Sequence, residues 1–290
     1  MKNKLMINNL LAIVLSNLLL CSICASIGLS ATPLNLAEAQ EAYYSDDLYF
    51  GGIIYETKVE EIIYDKKVTA YEEYANPSFP LYYNCNNVLE NVCACVAGAN
   101  IIGYYDRFCS SLIPNFEPGR MRNSIYTYEP MIRNESIKQN LIDTLYVKMG
   151  SNSNAEGTSR EQFRSGMQLY VTGNGYNISY DSVMSDKAID HNLVYERLQE
   201  GKPIILYLNG YNISFLNESQ NKTLLNKQEY IGRHIMVVYG VKKEVYYDKS
   251  MNIINTKIYY NVSSGWGSMP GIYVYDNNGI IENAEAVIIV

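Results

Sequence analysis

The chain has 290 residues, of which 30 are acidic and 23 basic, so its net charge is −7 near neutral pH. An acidic chain without a basic cluster argues against nucleic acid or an anionic membrane surface as the main partner. Tyrosine is abundant, with 28 residues against a single tryptophan, a bias compatible with an AT-rich bacterial genome.

The N-terminus has the layout of a targeting segment. Lys2 and Lys4 precede an apolar run from Leu10 to Leu20, and Ala37-Glu38-Ala39 offers a cleavage site. This pattern predicts a secretory signal peptide over residues 1–39. The apolar run is short for a membrane span of roughly 20 residues, which favours cleavage over a retained anchor. We therefore expect a secreted or cell-surface protein with no membrane association after cleavage.

Residues 40–78 are polar and rich in tyrosine, and a segment with two prolines around Pro77 then breaks the chain. We place a domain boundary there. Residues 40–78 are predicted to be an N-terminal extension or a propeptide, and the sequence leaves that choice open. Residues 79–290 are long enough to bury one good core.

Apolar periodicity predicts four helices in the first part of this domain, at about 92–108, 136–149, 159–172 and 186–201. After residue 200 the pattern changes to short apolar or alternating runs, which predict strands. Helices followed by strands indicate an α+β fold with an N-terminal helical part and a C-terminal antiparallel sheet. Residues 210–232 are polar and are predicted to form a long loop, suited to act as a lid.

Cys93 is placed where the first helix should begin. A helix N-terminus presents free backbone N–H groups and the positive end of the helix dipole, and both stabilise a thiolate. The same N–H groups can form part of an oxyanion hole. Cys93 is therefore the candidate nucleophile.

The other cysteines leave alternatives open. Cys95 lies two residues further on and is a rival nucleophile, whereas a core position is common for any free cysteine. Secretion permits disulfides, either Cys93–Cys95 or Cys85–Cys109. A zinc site is disfavoured because the cysteines lack a second matched pair and the chain has only 2 histidines. We expect no metal and no organic cofactor.

The histidines differ in their surroundings. His191 lies among polar residues, which favours a solvated surface position. His234 begins the apolar run Ile-Met-Val-Val-Tyr-Gly-Val, and a strand would hold its imidazole rigidly, as a general base requires. His234 is therefore the candidate base.

Asn261 ends a predicted strand shortly before Gly265-Trp266-Gly267. At such a position an asparagine can accept a hydrogen bond from the imidazole and fix its tautomer, and Trp266 could shield that bond from water. Ser263 and Ser264 stand between Asn261 and the tryptophan, and either could take the orienting role instead.

The order Cys93, His234, Asn261 resembles that of papain-like cysteine peptidases, and in particular their C39-like branch. The stretch from Cys93 to Arg107 is similar to that branch, with Tyr104-Tyr105 at the family spacing, although Ala94 and Cys95 replace the usual Gly-Pro. Gly201-Lys202-Pro203 is similar to the family's helix-to-strand element. The resemblance covers about residues 79–290 and implies a papain-like catalytic domain. It also implies an oxyanion-hole side chain before the cysteine, for which Asn87 is the first candidate and Asn84 the second.

The resemblance implies hydrolysis of peptide or amide bonds through a thioester intermediate, with a peptide or protein as substrate. Two alternatives stay open. One is a catalytically inactive papain-like module that binds a surface or host partner. The other is an enzyme that transfers the acyl group to an amine instead of to water.

Overall fold

The structure is a computed structural model that describes residues 53–75, 79–83, 89–117, 119–122, 125–128, 135–153, 157–265, 273–275 and 280–290. These residues belong to a compact unit that spans Tyr49–Val290. The predicted signal peptide, both oxyanion-hole candidates, Cys85 and Trp266 lie outside the described residues.

Four helices are described: α1 (Cys93–Tyr105), α2 (Glu135–Met149), α3 (Arg160–Gly173) and α4 (His191–Gln199). All four lie within two or three residues of the helices predicted from periodicity, except that the fourth begins at His191 rather than near residue 186. The strands are β1 (Ile53–Ile63), β2 (Lys66–Tyr74), β3 (Gly119–Arg122), β4 (Ile125–Tyr128), β5 (Ile178–Ser182), β6 (Met184–Ser185), β7 (Ala188–Ile189), β8 (Ile204–Ser219), β9 (Lys222–Tyr247), β10 (Ile253–Ser263), β11 (Tyr273–Tyr275) and β12 (Ile281–Ile289).

One antiparallel sheet dominates the described residues. Strand β9 pairs with β10, β10 with β11, β11 with β8, and β8 with β9, so these four strands form a closed cycle. Strands β1 and β2 also pair with β9, while β12 and then β5 extend the sheet from β8.

Strand β9 curls strongly along its length. Ile63, the last residue of β1, pairs with Lys222, whereas Lys66, the first residue of β2, pairs with Tyr247. The two paired positions stand at opposite ends of a 26-residue strand, which would span roughly 80 Å if it were straight. Because only two residues separate Ile63 from Lys66, the two ends of β9 must approach each other.

The predicted fold class is wrong. The sequence predicted an α+β papain-like layout with helices first and strands last, but β1 and β2 precede α1, and β5 to β7 lie between α3 and α4. Residues 68–74 could be interpreted from the sequence as a short helix or strand, and β1 was missed, because charged and tyrosine side chains gave no clear apolar alternation.

The predicted loop over residues 210–232 is also wrong. Strand β8 continues to Ser219 and β9 begins at Lys222, so most of this segment is a hairpin closed by a short turn at Asn221, which has φ +60°. Its charged residues pair with side chains of β1 and β2. Lys227 forms an ion pair with Glu60, and Glu218 lies 2.7 Å from the Lys67 ammonium.

Helix α1 is the most deeply buried helix. Every residue from Ala94 to Tyr105 is buried, because small residues let α2, α3 and the sheet approach the helix closely. At its C-terminal end the tyrosine pair ties the helix to its surroundings. The Tyr104 hydroxyl donates to the Gly201 carbonyl at 2.6 Å, and the Tyr105 hydroxyl donates to the Val287 carbonyl at 2.6 Å. The helix axis, and with it Cys93, is fixed by these contacts.

Candidate functional site

Cys93 is the first residue of α1, as predicted, and it is partly exposed to solvent. The preceding residue, Val92, provides no side-chain cap. The thiol instead lies within hydrogen-bonding reach of backbone N–H groups, those of Ile235 and Ala94 among them. These contacts stabilise a thiolate, yet burial outweighs them and raises the pKa of the Cys93 thiol.

His234 lies near the middle of β9 and is 5% exposed. Its Nε2 atom is 2.9 Å from the backbone carbonyl oxygen of Ser264. Because a carbonyl oxygen only accepts, Nε2 carries the proton in this bond, and the neutral ring then has its lone pair on Nδ1. Burial lowers the pKa of His234 to about 4, and the Ser264 carbonyl opposes that shift.

The Cys93 thiol lies beside the segment of β9 that contains His234. The residue whose backbone contacts the Cys93 thiol directly follows His234 in β9. The described pairing of β10 with β9 ends at Val237 and Ser263, so this part of β9 lies just past the last residue pair between the two strands. Three chain segments therefore meet here: the first turn of α1, residues 234–235 of β9, and the turn that follows β10.

Gly265 shapes the third of these segments. It has φ +81°, a backbone conformation that side chains with a Cβ disfavour, and an added Cβ would lie 3.3 Å from Val96 Cγ1. Val96 stands one helical turn beyond Cys93. The glycine thus lets the chain turn tightly against α1 and present the Ser264 carbonyl to His234.

Asn261 lies in β10 and is 2% exposed, but its side-chain amide donates to the Tyr74 hydroxyl at 2.9 Å. The partner seen for the His234 imidazole is the Ser264 carbonyl, at one of the two serines that the sequence offered in place of Asn261. The Ser263 hydroxyl is buried and has no hydrogen-bond partner among the described residues.

The remaining candidates occupy other environments. Cys95 points into the core, with its sulfur 3.4 Å from Ser151 Oγ and 3.9 Å from Met149 Sδ, and burial raises its pKa to about 12. Cys93, Cys95 and Cys109 are all free thiols. His191, expected on the surface, is partly buried and hydrogen-bonds through Nδ1 to the Tyr260 hydroxyl.

Sequence reasoning missed Asn100. This residue of α1 is 1% exposed, and its side-chain oxygen accepts from the Tyr82 N–H at 2.7 Å while its amide donates to the Tyr82 carbonyl at 3.3 Å. Asn100 therefore holds the backbone of Tyr82 against α1. A signal was available, because an asparagine among the small and apolar residues of a buried helix needs a polar partner.

Among the described residues, no cluster of three or more histidine, cysteine or acidic side chains could hold a metal ion. Within the same residues, no helix combines the length and the apolar character that crossing a membrane requires. The chain matches no protein-family model and no curated protein. The resemblance to papain-like peptidases rests on the sequence motifs and stays a prediction.

Proposed function

We propose that the protein is a secreted cysteine hydrolase that cleaves peptide or amide bonds, with Cys93 as nucleophile and His234 as base. One observation carries the proposal: the backbone of Ile235, the residue next to His234, is close enough to the Cys93 thiol at the helix N-terminus to lower the pKa of that thiol against the effect of burial. The motif order supports it, since a thiol, its base and a turn that orients the base follow one another along the chain.

The geometry suits a general-base mechanism. The Cys93 proton passes to Nδ1 of His234 as the sulfur attacks the substrate carbonyl, and backbone N–H groups at the start of α1 stabilise the oxyanion. The imidazolium then protonates the leaving amine, and a thioester forms. Water, deprotonated by His234, hydrolyses the thioester, which releases the acid and restores the thiol.

The resting pair is neutral. Burial raises the pKa of the Cys93 thiol and lowers the pKa of His234 to about 4, so neither group is charged near neutral pH. Proton transfer therefore accompanies attack instead of preceding it. We expect alkylation of Cys93 to be slow at mildly acidic pH and to accelerate as the pH rises.

Alkylation with iodoacetamide tests the proposal. The native protein is treated at a series of pH values, and labelled cysteines are mapped by mass spectrometry. We expect labelling at Cys93 before Cys95 and Cys109, and we expect His234→Gln to slow it by about tenfold or more, because the base is lost. Labelling of Cys93 that is equally fast in His234→Gln contradicts the proposed pair.

Cleavage of a mixture of unstructured peptides gives the second readout. Cys93→Ala should abolish cleavage and leave the fold intact, whereas Cys109→Ala, which also removes a thiol from this half of the chain, should keep it. Full activity in Cys93→Ala excludes the assignment. Product analysis in the presence of a free amine separates hydrolysis from acyl transfer.

A second candidate is a non-catalytic module that binds a surface or host partner. The neutral resting pair favours it, because a preformed thiolate is absent. If iodoacetamide shows no preference for Cys93 over Cys95, this candidate becomes the better one.

A further inference from the structure

The N-terminal strands β1 and β2 are part of the main sheet. Strand β1 pairs with β9 from Ile53 opposite Ile231 to Ile63 opposite Lys222, and β2 pairs with β9 from Lys66 opposite Tyr247 to Tyr74 opposite Gly240. Ile62 and Tyr64 belong to the same apolar cluster as Leu225, Tyr246 and Tyr259. These residues cover both ends of β9.

Charged side chains of β1 and β2 also complete buried ion pairs. Glu60 binds Lys227 and lies 2.6 Å from Lys257, and both of these lysines are buried. Lys67 lies 3.1 Å from Glu244, which is 1% exposed. Removal of the N-terminal strands would take these partners away from charges in the interior, which is strongly destabilising.

The last residue of β2 reaches the end of the sheet that carries the candidate site. The Tyr74 hydroxyl accepts from the Asn261 amide at 2.9 Å and donates to Glu72 at 2.7 Å. The Tyr74 ring packs onto Gly240, where an added Cβ would lie 2.4 Å from the ring. Asn261 stands two residues before the end of β10, after which Ser264 meets His234.

We propose that Asn261 and Tyr74 anchor the N-terminal strands to β10, so that residues 53–74 are a permanent part of the folded protein and not a removable propeptide. In this arrangement the Asn261 amide bonds to Tyr74 of β2 and does not orient the His234 imidazole. The statement about the imidazole rests on the proposed function, whereas the retention of residues 53–74 does not.

Hydrogen exchange of the full chain, followed by mass spectrometry, tests the anchor. Tyr74→Phe removes the hydroxyl and keeps the ring on Gly240, and Asn261→Leu removes the amide. We expect Asn261→Leu to exchange about three- to tenfold faster over residues 66–75, the effect of one lost hydrogen bond, and Tyr74→Phe to exchange at least as fast, because it also loses the bond to Glu72. The double variant should add little beyond Tyr74→Phe alone, because the Asn261 bond is already absent there.

Tyr71→Phe is the matched control, since it removes a hydroxyl from the same strand at a ring that packs on Tyr195. Its exchange over residues 66–75 should stay at the wild-type rate. Unchanged exchange in both Tyr74→Phe and Asn261→Leu would overturn the anchor. The pH profile of Cys93 alkylation should also stay unchanged in Asn261→Leu.

Hydrogen exchange tests the anchor and Cys93 alkylation tests the proposed function, so the failure of one can be told from the failure of the other. An altered alkylation profile in Asn261→Leu, with the profile of Tyr74→Phe unchanged, would give Asn261 the orienting role and overturn that part of the proposal. If the wild-type protein shows no selective labelling of Cys93, the proposed function fails, and hydrogen exchange still decides whether the anchor exists.

A cut chain tests retention directly. A protease recognition sequence is inserted between Ala75 and Phe79, and the purified protein is cleaved there. We expect the N-terminal fragment to co-elute with the remainder and to separate only in denaturant. Separation under native conditions, with the remainder still folded at the same thermal midpoint, would overturn the proposal.

Discussion

The buried imidazole of His234 makes stability depend on pH. Burial lowers its pKa to about 4, below the ordinary value of 6.5, so the unfolded chain binds a proton at this residue more readily than the folded protein does. The stabilisation is therefore present above about pH 6.5 and is lost as the pH falls towards about 4, by up to roughly 3 kcal/mol. Urea unfolding at a series of pH values should show this loss.

His234→Gln should flatten the pH dependence of unfolding in that window, because the titrating group is gone while a side-chain amide can still donate to the Ser264 carbonyl. His191→Gln is the control and should keep the loss attributed to His234. The same pH dependence in the wild type and in His234→Gln between about pH 6.5 and 4 would contradict a neutral, buried imidazole.

Asp106, the residue that follows α1, should make stability depend on pH in the direction opposite to that of His234. It is 1% exposed, and burial raises its pKa to about 6 although the Ile113 N–H donates to Oδ1 at 2.7 Å. Its other oxygen has no hydrogen-bond partner among the described residues. A raised carboxyl pKa means that stability is lost as the pH rises from the unfolded value through about 6.

Asp106→Asn keeps an oxygen for the Ile113 N–H and removes the buried charge. We expect it to raise the free energy of unfolding by about 1 kcal/mol at about pH 8 and to have a smaller effect at about pH 4, where the folded carboxyl is protonated and the unfolded one is only partly ionised. Urea unfolding at the two pH values checks this. A variant that is destabilised at both would show that the charge itself is needed.

The sequence predicted the local setting of the two candidate residues only in part, and not the contacts around them. Cys93 stands at a helix start, as predicted, whereas His234 lies near the middle of β9 and not at the start of a strand. His234 bonds to a backbone carbonyl, that of Ser264, and a carbonyl has no sequence signature. Asn261 and Tyr74 are 187 residues apart, so no local pattern could pair them.

At the scale of elements, helices α2 and α3 approach each other through a single glycine. An added Cβ at Gly166 would lie 2.7 Å from the backbone nitrogen of Met149, closer than folded proteins allow. We expect Gly166→Ala to lower the free energy of unfolding by about 1–3 kcal/mol, because the helices must move apart. Chemical unfolding monitored by circular dichroism measures it.

Gly173 ends the same helix and is the matched control. No atom lies within 4 Å of a Cβ added there, so Gly173→Ala should be neutral or should stabilise the protein by about 0.4–1 kcal/mol through the unfolded chain. If both alanine variants lower the free energy of unfolding equally, the close approach of α2 and α3 does not explain the cost of Gly166→Ala.

Helices could be predicted more closely than strands, and the reason is physical. The apolar stripe of a helix repeats within the segment itself, so Phe163, Met167 and Tyr170 of α3 reveal their common face. The strands β1 and β2 mix charged and apolar contacts, since Glu60 and Lys67 form ion pairs while Ile62 joins an apolar cluster. Their residue pattern can be interpreted only together with their partner strand β9, which lies far away in the chain.

At the scale of the whole molecule, a network of ion pairs around the buried Glu244 joins strands that are far apart in the chain. Lys67 of β2 lies 2.7 Å from Glu218 of β8 and 3.1 Å from Glu244 of β9, and Lys242 lies 3.2 Å from Glu244. The Tyr246 hydroxyl also donates to Glu244 at 2.6 Å. Although burial opposes ionisation, these partners lower the pKa of Glu244, so the carboxyl is charged in the folded protein.

Glu244→Gln removes the negative charge and leaves the ammonium groups of Lys67 and Lys242 beside a neutral amide. We expect the free energy of unfolding to fall by about 1–3 kcal/mol at neutral pH, because a buried charged partner is lost, while Glu218 still lies 2.7 Å from Lys67 and 3.7 Å from Lys242. Glu229→Gln is the control. It breaks the more exposed pair between Lys58 of β1 and Glu229 of β9 and should cost less than about 1 kcal/mol.

Acid should reproduce the loss in the wild-type protein. Because the folded-state pKa of Glu244 is lowered, its contribution is present above the unfolded value and is lost as the pH falls through the folded pKa. Glu244→Gln should therefore lose less stability than the wild type on acidification. Equal acid sensitivity in the two proteins, together with equal costs for Glu244→Gln and Glu229→Gln, would mean that the interior network does not hold the curled sheet together.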